Sequence, residues 1–138
     1  MTWFYNDKPL SEVPEGYVGF IYIITNLSND RRYIGQKVFT KKVVKKPLKG
    51  KRNKRRSIAE SDWQSYWGSS EELKNDVAVM GEDKFRRDII LLCESKALMN
   101  YEEARLQFEY DVLRYPDKFY NRIINCRVAY NQIAKWIE

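Results

Sequence analysis

The chain has 138 residues, of which 43% are hydrophobic and 14% aromatic, so it holds enough apolar material for one packed core and is not intrinsically disordered. It contains no histidine, which excludes Ser-His-Asp and Cys-His catalytic sites and zinc sites with histidine ligands. Any proton transfer in a catalytic site would therefore use Tyr, Lys, Asp, Glu or a metal-bound water.

The cysteine content and the apolar runs indicate where the protein works. Cys93 and Cys126 are too few for a disulfide framework and do not form a CxxC pair, so we expect reduced thiols. No apolar run approaches the roughly 18 residues of a membrane span, and the N-terminal residues lack the pattern of a signal peptide. We therefore expect one cytoplasmic domain over residues 1–138 with no membrane partner.

The positive charge is concentrated in one segment. The net charge is +6, yet residues 41–56 hold ten Lys or Arg and no acidic residue, which leaves 15 basic and 19 acidic residues elsewhere. Such a block repels itself and stays solvated, and Pro47 and Gly50 favour a loop. Because cations bind DNA through its phosphates, we expect a basic insertion over residues 38–60 that binds double-stranded DNA through Lys45, Lys46, Lys49, Lys51, Arg52, Lys54 and Arg55.

A strand pair is predicted near the start of the chain. Residues 1–16 are interrupted by proline and glycine and are predicted to be irregular. Residues 18–25 and 32–37 are rich in β-branched and aromatic residues, which is typical of strands. Residues 26–30 between them have the composition of a turn. The sequence therefore predicts an antiparallel hairpin.

A helix with a capping box follows the basic insertion. The pattern predicts this helix over residues 70–80, with Ser69 as its N-cap, Glu72 reaching back to the cap, and Gly81 as its C-cap.

The rest of the chain is predicted to alternate between strand and helix. Residues 85–93 favour a third strand and residues 96–115 the longest helix, which Pro116 stops. A second capping pattern, formed by Asn100 and Glu103, would delay the start of that helix to Tyr101. A C-terminal extension over residues 122–138, with a helix over 128–137, completes an α+β fold in which helices pack on a small antiparallel sheet.

The predicted hairpin carries two tyrosines at matched places. Tyr22 and Tyr33 are eleven residues apart, and such residues lie side by side on one sheet face. Gly35 allows a backbone or a substrate to approach closely. Lys37 shares the strand face of Tyr33 and Gly35, because side chains alternate along a strand.

These residues resemble the paired signature of the GIY-YIG endonuclease family, in Gly19-Phe20-Ile21-Tyr22 and Tyr33-Ile34-Gly35. The resemblance covers roughly residues 18–121. Within it, residues 60–70 are most similar to freestanding, phage-encoded members of homing type. The later matching residues are Ser69-Ser70, Leu73, Gly81, Phe85, Ile89-Ile90 and Tyr120-Asn121.

The sequence departs from the family pattern at three places, one of which is the absence of the histidine often found near the family's arginine. Phe20 stands where the family has its first glycine, with Gly19 one place early. The arginine that the family carries after its YIG triplet has no single counterpart, because the basic segment is inserted there.

The resemblance implies three antiparallel strands flanked by helices, and hydrolysis of a DNA phosphodiester with one divalent ion, Mg²⁺ or Mn²⁺, per active site. It also implies a glutamate that holds the metal and a tyrosine that acts as base. The residue chemistry agrees, since without histidine a tyrosine must take the proton. A free tyrosine has a pKa of about 10, so a nearby cation must lower it. We expect Tyr22 to be the base, Tyr33 its partner and Lys37 the cation, with the order of the two tyrosines open.

Two glutamates on the long helix are candidates for holding the metal. Glu103 is preferred because it follows Leu98 by five residues, much as the family's glutamate follows an apolar helix residue. Glu109 is the alternative, and a capping role with Asn100 is the other interpretation of Glu103. One carboxylate is sufficient for an ion that keeps several waters.

The remaining candidates bind phosphate. Arg56 is preferred over Arg52 and Arg55 for stabilising the transition-state charge, because it lies nearest the ordered structure that follows the basic segment. Asn121 is expected either to bond a phosphate or to fix the backbone near the site.

Two other functions are left open by the sequence. A non-catalytic nucleic-acid-binding module would use the same basic segment, and an interaction protein would use it to bind an acidic partner.

Cutting both strands with one active site needs either two protomers or two successive nicks, so a homodimer on DNA is also left open. Trp63, Tyr66 and Trp67 are expected to pack between the basic segment and the body rather than to stack on bases.

Overall fold

The computed structural model describes residues 2–137. Its centre is the predicted hairpin, formed by β3 (Gly19–Asn26) and β4 (Arg31–Val38). Tyr22 pairs with Gly35 and Ile24 pairs with Tyr33, so both tyrosines lie on one face of the hairpin. The turn is closed by Asn26, whose side-chain oxygen accepts the Ser28 backbone N–H at 3.1 Å.

The hairpin belongs to a five-stranded sheet rather than to the expected three-stranded one. The strand order is β2-β1-β7-β3-β4, with β1 at Trp3–Tyr5, β2 at Lys8–Leu10 and β7 at Phe85–Cys93. Strand β7 is antiparallel to β3 and parallel to β1, so the sheet is mixed.

The expectation of an irregular lead-in over residues 1–16 is wrong. Strand β1 forms because Trp3, only 1% exposed, packs into the core and donates its indole N–H to the Trp63 carbonyl at 2.7 Å. Asn6 and Asp7 adopt positive φ and turn the chain back into β2. Pro9 is accommodated because β2 is an edge strand.

The N-cap of helix α1 (Glu71–Met80) lies one residue later than expected. Ser70, not Ser69, is the N-cap, and its hydroxyl accepts the Leu73 backbone N–H. Glu72 does not complete a capping box, because its carboxylate lies 2.6 Å from Arg31 and 3.2 Å from Arg122. Gly81 ends the helix as predicted.

Helix α2 (Lys96–Glu109) is shorter than predicted. Ser95 caps it by accepting the Leu98 backbone N–H, so the capping pattern of Asn100 and Glu103 is not used. The helix ends six residues before the predicted end, and Asp111 takes a left-handed backbone conformation with φ of 55°. Helix α3 (Tyr130–Ile137) lies close to its predicted bounds.

The sheet separates two buried clusters. On one face, Tyr22 and Ile24 pack with Leu73 and Val77 of α1. On the other face, Ile21 and Ile34 pack with Met99 and Leu106 of α2. The two hairpin tyrosines therefore lie on the α1 face of the sheet, while α2 covers the opposite face.

The basic segment is a β-ribbon, although the sequence favours a loop there. Strands β5 (Thr40–Lys45) and β6 (Arg55–Glu60) pair antiparallel as a separate two-stranded sheet, and residues 46–54 connect them. We call residues 40–60 the basic ribbon. Its β-branched residues Val43, Val44 and Ile58 stabilise strand pairing between the cations. Among residues 2–137, no helix is long and apolar enough to cross a membrane.

Candidate active site

The two hairpin tyrosines meet on the sheet face. The ring centroids of Tyr22 and Tyr33 are 6.2 Å apart with an interplanar angle of 38°. Tyr22 is 1% exposed, whereas Tyr33 is half-buried and its hydroxyl shares a hydrogen bond of 2.8 Å with the Ser69 hydroxyl. The hairpin thus brings one buried and one accessible phenol together.

Gly35 provides the space in which the Tyr22 hydroxyl lies. A Cβ atom added to Gly35 would lie 2.7 Å from Cζ of Tyr22, closer still to its hydroxyl, and 3.0 Å from the Tyr33 ring. A Cβ on Gly68 would lie 3.4 Å from the same hydroxyl. Both glycines therefore lie next to the Tyr22 hydroxyl, and neither has a side chain that would cover it.

Replacing Gly35 with alanine is expected to displace Tyr22 and impair both stability and cleavage. Overpacking a buried site costs about 1–3 kcal/mol of unfolding free energy, and a catalytic group moved by about 1 Å costs about 10²-fold in rate. Denaturant unfolding and single-turnover cleavage of DNA would measure the two effects. Gly16→Ala is the control for cleavage: its φ of 86° strains an alanine and lowers stability, but its added Cβ meets nothing within 4 Å and so leaves Tyr22 in place. Full activity in Gly35→Ala would contradict the prediction.

A third tyrosine completes the cluster. The Tyr66 ring lies edge-on to the Tyr22 ring with 6.1 Å between centroids. Its backbone carbonyl accepts a hydrogen bond of 2.7 Å from buried Arg87, whose guanidinium lies between the Trp3 and Trp67 rings. Burial lowers the pKa of Arg87 to about 10. The chain at Tyr66 is therefore fixed to the core.

The surroundings keep the phenols protonated at neutral pH. Burial, followed by the charges of Tyr33, Tyr66 and Glu103, raises the pKa of Tyr22 well above its ordinary value. The pKa of Tyr33 is also raised, mainly by burial, and the hydrogen bond with Ser69 opposes that shift. Removing a proton from either phenol thus requires a positive charge close to it.

Lys37, the cation expected to act on Tyr22, makes other contacts. Its ammonium lies 2.6 Å from the Asp62 carboxylate and 4.2 Å from the centroid of the Tyr66 ring. The hydrogen bond from Lys37 holds the pKa of exposed Asp62 below its usual range. Lys37 therefore contacts the tyrosine cluster through Tyr66.

Glu103 brings a carboxylate to the cluster from the opposite face of the sheet. Its side chain accepts a hydrogen bond of 3.0 Å from Gln36, which also donates to Asn100 at 2.8 Å. Gln36 projects from the face of β4 that α2 covers, and from that side the Glu103 charge acts on both Tyr22 and Tyr33. Burial raises the pKa of Glu103, while Gln36 and Lys96 oppose the shift.

Glu109, the alternative ligand, lies elsewhere on α2. It is exposed and pairs with Arg105 at 3.2 Å. Of the two glutamates, Glu103 is the one whose charge acts on the tyrosines.

Asn121 fixes the strand that carries Tyr33. It is 2% exposed; its side-chain N–H donates to the Ile34 carbonyl at 2.8 Å, and its oxygen accepts the Ile34 N–H at 3.0 Å. Gln107 donates to the same carbonyl at 3.0 Å. The outward backbone groups of this edge strand are thereby satisfied. Of the two expected roles of Asn121, this placement corresponds to fixing the backbone.

The family comparison agrees with this arrangement. The family model described as "Putative endonuclease segE, GIY-YIG domain" matches residues 3–124, which is most of the chain. The chain belongs to the GIY-YIG endonuclease family. The expected likeness to phage-encoded, homing-type members fits the segE name of the matched family. No curated protein and no solved structure matches the chain.

This GIY-YIG chain has Phe20 in place of the first glycine of the family pattern, and the packing around Phe20 explains the difference. Phe20 is fully buried on the α1 face, 4.8 Å from the Phe39 ring centroid. A Cβ on Gly19 would lie 2.6 Å from the Met99 side chain on the opposite face. The same Cβ would lie 2.5 Å from the Lys37 backbone carbonyl oxygen, so the glycine is needed where β3 pairs with β4, one residue before the usual position.

The expected arginine lies far from the GIY-YIG tyrosines. Arg56 pairs with Val44 in the basic ribbon, four residues from Glu60 at the ribbon base, which corresponds to roughly 13 Å along a strand. Arg122, which sequence reasoning missed, lines one cavity of about 350 Å³ together with Tyr33 and Ser69. Its position directly after the Tyr-Asn pair of the family pattern is the signal that could have identified it.

The residues present suit a metal ion that keeps most of its water. Within residues 2–137 there is no group of three or more Asp, Glu or Cys side chains that could enclose a metal. The half-buried carboxylate of Glu103 offers the oxygen ligands that Mg²⁺ and Mn²⁺ prefer, while Gln36 turns its amide nitrogen toward Glu103 and its oxygen toward Lys96. Glu103 is the residue that would hold such an ion.

Proposed function

We propose that this protein is a divalent-metal-dependent endonuclease that hydrolyses phosphodiester bonds of double-stranded DNA, acting as a freestanding, phage-encoded homing-type enzyme. The observation that carries the proposal is the meeting of Tyr22 and Tyr33 on one sheet face within the electrostatic reach of Glu103. Membership of the GIY-YIG family supports the endonuclease activity.

In the proposed mechanism, Tyr22 acts in its phenolate form, which has already lost its proton to solvent, and accepts the proton of the attacking water. The water oxygen bonds to phosphorus, the bond between phosphorus and the leaving sugar oxygen breaks, and that oxygen takes a proton from solvent. One Mg²⁺ or Mn²⁺ held by Glu103 would stabilise negative charge on the phosphate and lower the pKa of nearby groups. The order with Tyr33 as base and Tyr22 as partner is the alternative, and the greater exposure of Tyr33 favours it.

Other side chains have supporting roles in this proposal. Tyr33 and Ser69 orient the phosphate at the accessible end of the site, where Arg122 lines the same cavity. Asn121 holds the backbone of Ile34, the residue that follows Tyr33 on β4. Lys37 keeps Tyr66 against Tyr22. Arg56 then binds DNA from the basic ribbon rather than stabilising the reacting phosphate.

The basic ribbon supplies the affinity for DNA. The cations proposed for this contact are exposed on the ribbon, at Lys45, Lys46, Lys49, Lys51, Arg52, Lys54 and Arg55. A single site cuts one strand at a time, so cutting both strands takes two successive nicks or a homodimer on DNA. The free thiols of Cys93 and Cys126 fit a place of action in the cytoplasm, which is that of the host cell if the protein is phage-encoded.

Purified protein with Mg²⁺ or Mn²⁺ is expected to convert supercoiled plasmid to open-circular or linear form, and a chelator should abolish the conversion. Agarose electrophoresis of the products over time measures both. DNA binding without cleavage at any metal concentration would favour the second candidate, a non-catalytic DNA-binding module, which the exposed cations of the basic ribbon also support.

A further inference from the structure

The basic ribbon is held firmly where it leaves the sheet. Ser61 donates its backbone N–H to the Phe39 carbonyl at 2.8 Å and its hydroxyl to the Val38 carbonyl at 2.6 Å. Fully buried Phe39 and Trp63 pack edge-to-face at 5.0 Å, and Trp63 donates to the Glu60 carboxylate at 2.7 Å. Because the ribbon continues from β4, its direction is fixed relative to the strand that carries Tyr33.

One face of the ribbon combines exposed apolar side chains with cations. Lys42 lies opposite Ile58, and Val44 lies opposite Arg56, so these four side chains share one face. Ile58 is 73% exposed and Val44 is 58% exposed. On the other face, Val43 and Ala59 are half-buried. The two most exposed apolar side chains of the ribbon therefore lie together, each directly opposite a cation.

The shape of the ribbon matches one groove of duplex DNA. A two-stranded ribbon fits the major groove, which is about 12 Å wide, whereas the minor groove is about 6 Å wide and must be widened before a ribbon can enter it. In the major groove, apolar side chains contact thymine methyl groups, and Arg or Lys bond guanine or flanking phosphates. The exposed ribbon face offers both kinds of side chain.

We propose that the basic ribbon enters the major groove of duplex DNA and contacts thymine methyl groups with Val44 and Ile58. The proposal rests on the proposed DNA endonuclease function and adds the groove, the ribbon face and the base atoms that are contacted. Lys42 and Arg56 bond guanine or phosphate on the same face, while the cations of residues 46–54 contact phosphates across the groove edge. The catalytic domain then carries its own means of base recognition.

The groove is tested by chemical footprinting of wild-type protein on duplex DNA with a chelator present, so that no cleavage occurs. Dimethyl sulfate methylates guanine N7 in the major groove and adenine N3 in the minor groove. Bound protein is expected to protect guanine N7 and to leave adenine N3 reactive. The major-groove ligand methyl green should displace the protein, whereas the minor-groove ligand netropsin should not. Protection of adenine N3, or displacement by netropsin alone, would overturn the proposal.

The methyl contact is tested by making the same duplex pool with thymidine or with deoxyuridine, which lacks only the methyl group. Wild-type protein is expected to bind the thymine duplexes about threefold to tenfold more tightly in fluorescence anisotropy. Val44→Ser/Ile58→Ser should lose this difference and keep binding to uracil duplexes. Val79→Ser, at an 86% exposed position on α1, is the matched control and should keep the difference. Equal wild-type affinity for both duplexes would contradict the methyl contact.

The outcomes separate this proposal from the proposed function. Plasmid cleavage that occurs with minor-groove protection, or without a thymine preference, leaves the endonuclease in place and removes the ribbon proposal. Major-groove protection without cleavage under any metal condition leaves the ribbon proposal in place and removes the nuclease.

Discussion

Glu103→Gln is expected to lose DNA cleavage by on the order of 10³-fold or more while the folded protein becomes more stable at neutral pH. The loss follows because the neutral amide cannot hold the divalent ion that the carboxylate is proposed to bind. Stability should rise because Glu103 is half-buried and burial disfavours its charged form, as its raised pKa indicates. Activity and stability therefore change in opposite directions at one residue.

The sign of the stability change depends on pH in a way that can be measured. The pKa of Glu103 in the folded state lies above its ordinary value of 4.5, so folding favours the protonated form. The destabilisation is complete above the raised pKa and disappears as the pH falls toward the ordinary value. Thermal unfolding of wild type and Glu103→Gln should thus differ most at neutral pH and converge in mild acid.

Glu109→Gln is the matched control for Glu103→Gln. It removes a carboxylate from the same helix, but at an exposed position paired with Arg105. Cleavage should persist in this variant, and DNA affinity in chelator should match wild type in both. If Glu109→Gln abolished cleavage and Glu103→Gln did not, the assignment of the metal ligand would be reversed.

The hairpin and its tyrosines could be predicted because both depend on local sequence. Strand alternation and one short turn set the register, so the sequence alone places Tyr22 and Tyr33 on one face. The family resemblance predicts Glu103 as the metal ligand, and Glu109 on the same helix is the alternative. Only the packing of α2 against the edge strand separates the two, because Gln36 contacts Glu103 across that edge.

Features that depend on distant contacts were missed. Strand β1 has three residues, and its pairing with β7 joins Trp3 to Arg87 across most of the chain. Tyr66 reaches Tyr22 only because the chain after the ribbon folds back over the hairpin. Neither contact leaves a periodic pattern in the sequence, since periodicity reports the buried face of an element and not its neighbour.

The basic segment is expected to be a loop when its charge is given more weight than its strand propensity, yet it forms two paired strands. Ten cations repel one another, but exposed cations on two strands are screened by solvent and salt. Val43 and Val44 on one strand and Ile58 on the other favour an extended backbone. The alternation of these residues with Lys and Arg was a usable signal for a ribbon with two different faces.

Tyr22→Phe is expected to reduce the rate of cleavage by about 10² to 10⁴-fold, the usual contribution of a general base, with little effect on stability. The ring keeps its edge-to-face contact with Trp3 at 5.2 Å, so the core remains packed. Because the pKa of Tyr22 is raised, the wild-type rate should increase with pH through the alkaline range, whereas the residual rate of the variant should not follow this increase. Single-turnover cleavage from neutral to alkaline pH, with DNA affinity measured in parallel, tests both effects.

Tyr33→Phe is the variant that distinguishes the two possible orders of the phenols. It removes the hydrogen bond with Ser69 and is expected to weaken phosphate positioning, so its rate should fall less than that of Tyr22→Phe and keep the wild-type dependence on pH. A larger loss in Tyr33→Phe, together with loss of its alkaline increase, would make Tyr33 the base, as its greater exposure allows. Near wild-type rates in both variants would contradict phenol catalysis and, because the chain has no histidine, would leave the proton to Lys, Asp, Glu or a metal-bound water.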